Sequence, residues 1–314
     1  MRSVVGLLVA ATLVACAGAD RAPPTSADLG PVYLVADGIE FEMDVRVPST
    51  PGPWPVVVAF HGVSSAGNDA ETLTAVADAA ASNFLVFTPD WLGPDPFPID
   101  EASIESLRRT GACAVAVAQA RSVALGGDPG RTLTYGFSAG TGPALAAILG
   151  AGDVDLTGCA VDALAEPVRG VVAGDGEYFW QSENFDAVFD AAPSTMRAEM
   201  ERTISPSGLA DARGVPVRLW FAADRTAPRA LPAGSEESDW LSVRDSDGSI
   251  RADLVAAGLL DDGIVDYGDQ AELFALRLER AGADVSLVEY PGGHTTLDKV
   301  ADLDGLLSAT ASEL

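Results

Sequence analysis

Ser138 is the residue around which this chain could do chemistry. It stands in Gly136-Phe137-Ser138-Ala139-Gly140, within the run RTLTYGFSAGTGPALAAI of residues 131–148. The β-branched and aromatic stretch Thr132–Tyr135 enters the pentapeptide, and the small-residue stretch Ala139–Leu149 leaves it, which predicts a strand, a strained turn and a helix. In such a turn the serine Oγ projects from the carboxyl edge of a sheet. The residues two positions to either side must be nearly free of side chain so that strand and helix can pass, and Gly136 and Gly140 meet that demand. A serine alcohol is a poor nucleophile at neutral pH, so attack on an acyl carbon needs a base within hydrogen-bond reach and a third group that fixes the base's tautomer. The chain holds two histidines. His294 ends the loop Pro291-Gly292-Gly293-His294 just after a strand pattern, where its ring can reach Ser138. Asp224 follows the apolar run VRLWFAA and precedes a proline-bearing loop, so its carboxylate is expected at the same edge. The competing reading of Asp224 is a loop residue paired with Arg225. Preorganised N–H groups must meet the oxyanion, and Ala139, at the amino end of the helix, supplies one.

The elements that position these residues follow in chain order. Val32–Ala36 and Ile39–Val47 read as strands joined by an Asp37-Gly38 turn, a hairpin signal. Trp54–Phe60, WPVVVAF, is a continuous apolar run of the kind that forms a strand buried on both faces, and His61-Gly62-Val63 follows it. Glu71–Ala81 is expected to be helical, Phe84–Thr88 a buried strand, and Ala102–Ala124 a long helix ended by Gly126-Gly127-Asp128-Pro129-Gly130. Beyond the serine, Val168–Ala173 leads into Gly174-Asp175-Gly176 and Val215–Ala222 leads to Asp224. Helix Gln270–Arg280, strand Asp284–Tyr290 and helix Leu297–Ser312 complete the pattern. Strands alternating with helices after an opening hairpin predict an α/β, mostly parallel, doubly wound sheet. The stretches 178–205 and 231–268 break that rhythm and read as insertions of the kind that form an active-site cap or wall.

This order of parts resembles the α/β-hydrolase superfamily over nearly the whole chain from the hairpin to the last helix, with a texture similar to bacterial esterases of the carboxylesterase and dienelactone-hydrolase type. The residues that carry the resemblance are His61-Gly62, GGDPGRTLTYGFSAG, Asp224 with Pro228, and YPGGH. It implies a serine hydrolase acting on a carboxylic ester, with Ser138 as nucleophile, His294 as general base and acid, and Asp224 as orienting acid, in the serine–acid–histidine order that superfamily uses. Some members place the acid one strand earlier, which makes Asp175 the rival, and the interval from Asp224 to His294 is longer than that superfamily's usual one. The second oxyanion donor is implied at Val63, although the loop departs from the Gly-Gly-Gly form. His61 reads as structural. Trp91, Tyr178, Phe179 and Trp180 could line an apolar site or serve packing alone. No metal-ligand spacing, phosphate-cradling loop or cofactor fingerprint is present in the sequence, so the chemistry needs water and no cofactor. An acyltransferase or peptidase on the same parts, or a non-catalytic surface lipoprotein that binds a ligand or partner, are the alternatives.

Composition narrows the partners. Asp+Glu outnumber Lys+Arg by 46 to 19, giving a formal net charge of −27, and Lys299 is the only lysine. With no basic stripe, nucleic-acid binding and electrostatic adhesion to anionic lipid are both disfavoured. A small-molecule ester is the expected partner. At the amino end, Arg2 precedes the apolar run Val4–Ala15, too short to span a bilayer as a helix and suited to the core of an export signal. Leu13-Val14-Ala15-Cys16 resembles the lipobox of bacterial lipoproteins, which implies lipidation of Cys16, a tether over residues 16–30 and attachment to the outer face of a bacterial cell membrane. A plain secretory signal is the alternative. Setting Cys16 aside leaves Cys113 and Cys159, an even remainder suggestive of a disulfide in an exported protein; otherwise Cys113 is a buried apolar residue of its helix.

Overall fold

The computed structural model describes residues 30–36, 38–64, 67–68, 70–91, 101–149, 156–176, 209–224, 267–295 and 299–314. The leader with Cys16, the tether as far as residue 29, Arg225, Pro228, and the cap residues Tyr178, Phe179 and Trp180 lie outside the described residues. So do the two insertions, apart from positions 267–268, which open a helix.

Strand β1 (Val32–Ala36) and β2 (Ile39–Arg46) form the expected antiparallel hairpin, with Gly38 in the turn at φ +80°. After them come β3 (Trp54–Phe60), the short pair β4 (Val63–Ser64) and β5 (Gly67–Asn68), α1 (Ala70–Ala80), β6 (Leu85–Pro89) and α2 (Glu101–Leu125). Strand β7 (Gly127–Phe137) then enters a 3₁₀ turn at Ser138–Gly140, which continues into α3 (Thr141–Ala146). The remainder is β8 (Gly170–Gly174), β9 (Pro216–Ala222), α4 (Tyr267–Ala281), β10 (Asp284–Tyr290) and α5 (Val300–Ser312). Eight strands make one sheet in the order β1-β2-β6-β3-β7-β8-β9-β10, antiparallel across β1-β2-β6 and parallel from β6 to β10.

Alternation along each strand divides the core into two layers, because successive side chains leave a strand on opposite faces. Val56, Val58 and Phe60 of β3 face the layer built with α2, α3 and α4. Val57 and Ala59 face the layer that holds Leu73 and Val76 of α1 and Leu303 and Leu307 of α5. Both faces of β3 are therefore covered, which explains why its sequence is apolar without interruption. Leu303 and Leu307, four apart on one helical face and both fully buried, stabilise by about 1.5–3 kcal/mol each through transfer from water.

Two of the boundaries that differ from the sequence expectation lie in the strand and the helix on either side of the serine. Strand β7 begins at Gly127, inside the glycine-rich run read as the end of the long helix, because Gly127 and Asp128 pair with Trp54 and Pro55 before residues 129–131 bulge out and pairing resumes at Thr132. The helix after the serine is regular only over Thr141–Ala146, since its first residues wind as a 3₁₀ turn.

The free edge of β1 is closed by the segment after α3. Val35 N donates to Gly158 O at 3.1 Å and Ala160 N to Tyr33 O at 3.0 Å, and a disulfide between Cys113 of α2 and Cys159 fixes that segment in place. Removal of the bridge by Cys113→Ala with Cys159→Ala should cost about 2–4 kcal/mol, because it frees a loop of 46 residues in the unfolded chain. Equilibrium denaturation reads this directly, and a midpoint equal to the parent's would contradict it.

Gly136 and Gly140 behave as their spacing predicts. A Cβ on Gly136 would stand 2.4 Å from Gly140 O, and one on Gly140 would stand 2.4 Å from Phe60 O and 2.5 Å from His61 O. Gly140→Ala should therefore lower the melting temperature by an amount corresponding to about 1–3 kcal/mol of overpacking. Gly305→Ala, in the exposed middle of α5 with open space around it, should raise stability by up to about 1 kcal/mol. Thermal melts of the two variants with opposite signs are the expected result.

Candidate active site

The register of the sheet decides which residues share its carboxyl edge. Phe137, the last residue of β7, pairs with Gly174, the last of β8, so the next residue of each chain segment, Ser138 and Asp175, leaves the sheet at one level. Both adopt the left-handed backbone, with φ +52° at Ser138 and +45° at Asp175, and they are the non-glycine residues with positive φ among those described. Such a conformation costs on the order of 1–3 kcal/mol per residue and persists only where the surroundings over-determine it. At Ser138 the surroundings are the glycine crossing described above and Thr141, whose Oγ1 donates to Ser138 O at 2.8 Å. Around Asp175, the backbone N donates to Trp220 O at 3.0 Å and the Oδ1 accepts from Ala222 N at 2.7 Å.

His294 joins the two. Its Nε2 lies 3.1 Å from Ser138 Oγ, and its Nδ1 lies 3.2 Å from Asp175 Oδ2. The second contact has the separation of an ion pair, while the ring N–H is off the line of a straight hydrogen bond to Oδ2. Asp175 is fully buried and the His294 side chain is 26% exposed, so the carboxylate sits behind the ring and the ring faces outward over the serine. Phe137 packs against His294 with ring centroids 4.8 Å apart, and Trp220 stacks on Phe137 at 5.7 Å with planes 4° apart. Burial, and then the charge of Asp175, push the Tyr135 phenol well above its ordinary range, so it is a neutral group in the wall behind the carboxylate.

The acid expected at Asp224 is not the one against His294. Strand β9 runs past the level of the serine: Gly174 pairs with Trp220, and Asp224 comes four residues later. Asp224 is exposed, its backbone N donates to Gly292 O at 3.2 Å, and its carboxylate flanks Gly293, where a Cβ would stand 3.6 Å from Oδ2. It braces the loop that carries His294 from outside. Asp175 had a signal in the sequence: aspartate tolerates the left-handed region, and its neighbours Gly174 and Gly176 make room as the glycines around Ser138 do. A Cβ on Gly174 would overlap the Trp220 indole at 1.7 Å, and one on Gly176 would meet Thr141 Oγ1 at 2.5 Å.

His61 has the structural part expected of it. It is 3% exposed, its Nδ1 lies 2.8 Å from Gly62 O, its ring lies 5.5 Å from that of Trp91, and Trp91 Nε1 donates to His61 O at 3.0 Å. Trp91 is thereby buried in packing rather than lining a site. The loop it shapes lies close over the serine, since a Cβ on Gly62 would touch Ser138 Cβ at 3.1 Å. Val63 opens β4, which runs beside the Ser138–Gly140 turn, and Ala139 belongs to the first residues of that turn, whose N–H groups have no intrahelical acceptor. Sequence reasoning missed Phe137, Trp220 and Lys299 as supports of the histidine: the first two stand inside apolar or glycine-rich runs, and the third was noted only as the chain's single lysine.

No family model matches the chain, and no curated protein matches it. Among solved structures, the apo form of Thermogutta terrifontis esterase 2 superposes with a TM-score of 0.58 at 14% identity, over 93% of this chain and 97% of that one. The same esterase phosphonylated by sarin gives 0.55 at 14%, over 93% and 97%. An acetyl ester-xyloside bifunctional hydrolase from Caldicellulosiruptor lactoaceticus gives 0.54 at 14%, over 88% and 89%. Identities this low speak to the fold alone, and with the strand order and the turn at Ser138 described above they make the fold of this chain that of the α/β-hydrolases.

Proposed function

We propose that the protein is a serine hydrolase that cleaves a carboxylic ester through an acyl-enzyme on Ser138. The observation that carries this reading is the His294 ring standing between Ser138 Oγ at 3.1 Å and Asp175 Oδ2 at 3.2 Å. In this reading Ser138 Oγ attacks the ester carbonyl as its proton passes to His294 Nε2. The tetrahedral oxyanion is held by backbone N–H groups, those of Ala139 and Val63. His294 then gives its proton to the departing alkoxide, the acyl group stays on Ser138, and water activated by the same ring releases the carboxylic acid. Asp175 keeps the imidazole oriented and stabilises the imidazolium; it replaces Asp224 in that part. The solved neighbours reported above are an esterase, one of whose structures was taken after phosphonylation by sarin, and an acetyl ester-xyloside bifunctional hydrolase, which supports ester chemistry and suggests the probe.

We further propose that the chain is exported and held on the outer face of the cell membrane by lipid on Cys16, the remainder acting as an enzyme on small esters. The disulfide between Cys113 and Cys159 supports an oxidising compartment.

Turnover of p-nitrophenyl butyrate and labelling by a fluorophosphonate test the reaction. Ser138→Ala should abolish labelling and lower kcat by about 10⁴-fold or more, as removal of a triad nucleophile does. Wild-type protein that neither turns over short-chain esters nor takes the label would remove the reading. Between the two carboxylates, Asp175→Asn should lower kcat by roughly 10³- to 10⁴-fold, whereas Asp224→Asn should cost less than about 10-fold. The reverse ranking would return the acid to Asp224.

A further inference from the structure

Lys299, the chain's only lysine, is placed where a lysine is locally unfavourable. It is 2% exposed and occupies the N-cap of α5, where the helix dipole presents positive charge and where short polar acceptors are preferred; no side-chain cap hydrogen bond forms there. Residues that break a local rule in this way are expected at functional or strained sites. Its ammonium donates to Gly293 O at 2.9 Å and to Thr295 O at 2.6 Å. Those two carbonyls flank His294. The same nitrogen lies 5.8 Å from the centre of the Trp220 ring, which stacks on Phe137, which in turn packs on the His294 ring. Lysine thus grips the histidine's backbone on both sides and rests on the aromatic pile that supports its ring. A charge-assisted hydrogen bond to a carbonyl is stronger than a neutral one, and a cation over an indole face adds to the hold.

The geometry points to Lys299 as a positioning residue that fixes His294 between Ser138 and Asp175 by clamping Gly293 and Thr295. This inference rests on the serine-hydrolase reading. A His294 left to its glycine-rich loop would lose alignment with Ser138 Oγ, and displacements of about 1 Å in such a group lower rates by up to about 100-fold. The lysine itself touches neither substrate nor reacting atoms.

Lys299→Met keeps the length of the side chain and its contact with Trp220 and removes the donors. The expected result is a folded protein, by circular dichroism, whose kcat for p-nitrophenyl butyrate falls by about 10- to 100-fold with KM unchanged. A folded variant whose kcat stays within about twofold of the parent, with only a lower melting temperature, would overturn the clamp and leave the residue structural. A second measurement covers a variant that does not fold. Because the chain has one lysine, ¹⁵Nζ-lysine labelling gives one ammonium signal. A fluorophosphonate joins Ser138 Oγ to phosphorus, expels fluoride and leaves the serine's proton on His294, so the signal should move when the wild type is phosphonylated. A signal that stays in place would overturn the proposal. Wild-type protein that takes no label would sink the hydrolase reading and this role with it, an outcome separable from a fully active Lys299→Met.

Discussion

The structure depends on one close backbone crossing. The turn after β7 passes so near the end of β3 that Gly140 has no room for a Cβ beside the Phe60 and His61 carbonyls, and the same crowding leaves none on Gly136 beside Gly140 O. Packing of the two cores drives β3 and β7 together, and the left-handed turn at Ser138 is what the chain must accept to follow that strand with a helix on one layer. The strain is local and small compared with the apolar burial that enforces it. Its product is a serine hydroxyl raised from the sheet edge instead of packed within a layer.

A second strained residue completes the arrangement. Strands β7 and β8 are parallel neighbours in matched register, so two left-handed residues, Ser138 and Asp175, emerge side by side from their ends. The carboxylate is then buried and anchored to β9 through Ala222 N. The histidine comes from the other side, on a loop after β10, and crosses β9 to reach both. It needs support along that whole path, and Trp220, Phe137 and Lys299 supply it from beneath. Three strands and one helix N-terminus therefore converge on a single imidazole.

Cations are scarce in this acidic chain, and two that are buried serve as joints. Arg218 of β9 donates to Asp284 O at 2.8 Å and contacts the carboxylates of Asp284 and Glu313, tying β10 and the end of α5 to the sheet. Lys299 does the corresponding work at the start of α5. The last helix is thus held at both ends by positive charge in contact with oxygen acceptors, and its middle is held by Leu303 and Leu307 in the apolar layer. At the opposite edge of the sheet the disulfide and the Gly158–Ala160 segment close β1, so neither rim of the described sheet relies on strand pairing alone.

Much of this was legible in the sequence because it is written locally. Alternating apolar strands and helices gave the doubly wound sheet, the DG turn gave the hairpin, and the glycines at two residues on either side of Ser138 gave the strained turn. These signals come from near-neighbour sterics and from faces that must be buried, and both leave a mark within about ten residues. Which carboxylate meets His294 was beyond that reach, since Asp175 and Asp224 both follow apolar strands. Only the pairing of Gly174 with Phe137 and Trp220 sets Asp175 level with the serine and carries Asp224 past it. The place of Lys299 was beyond it as well: composition shows only that the lysine is single, and the tertiary structure puts its ammonium on the two carbonyls around the histidine. Residue type and spacing determined the fold and the serine turn; strand register and loop closure, which depend on contacts far apart in the chain, decided the partners of the histidine.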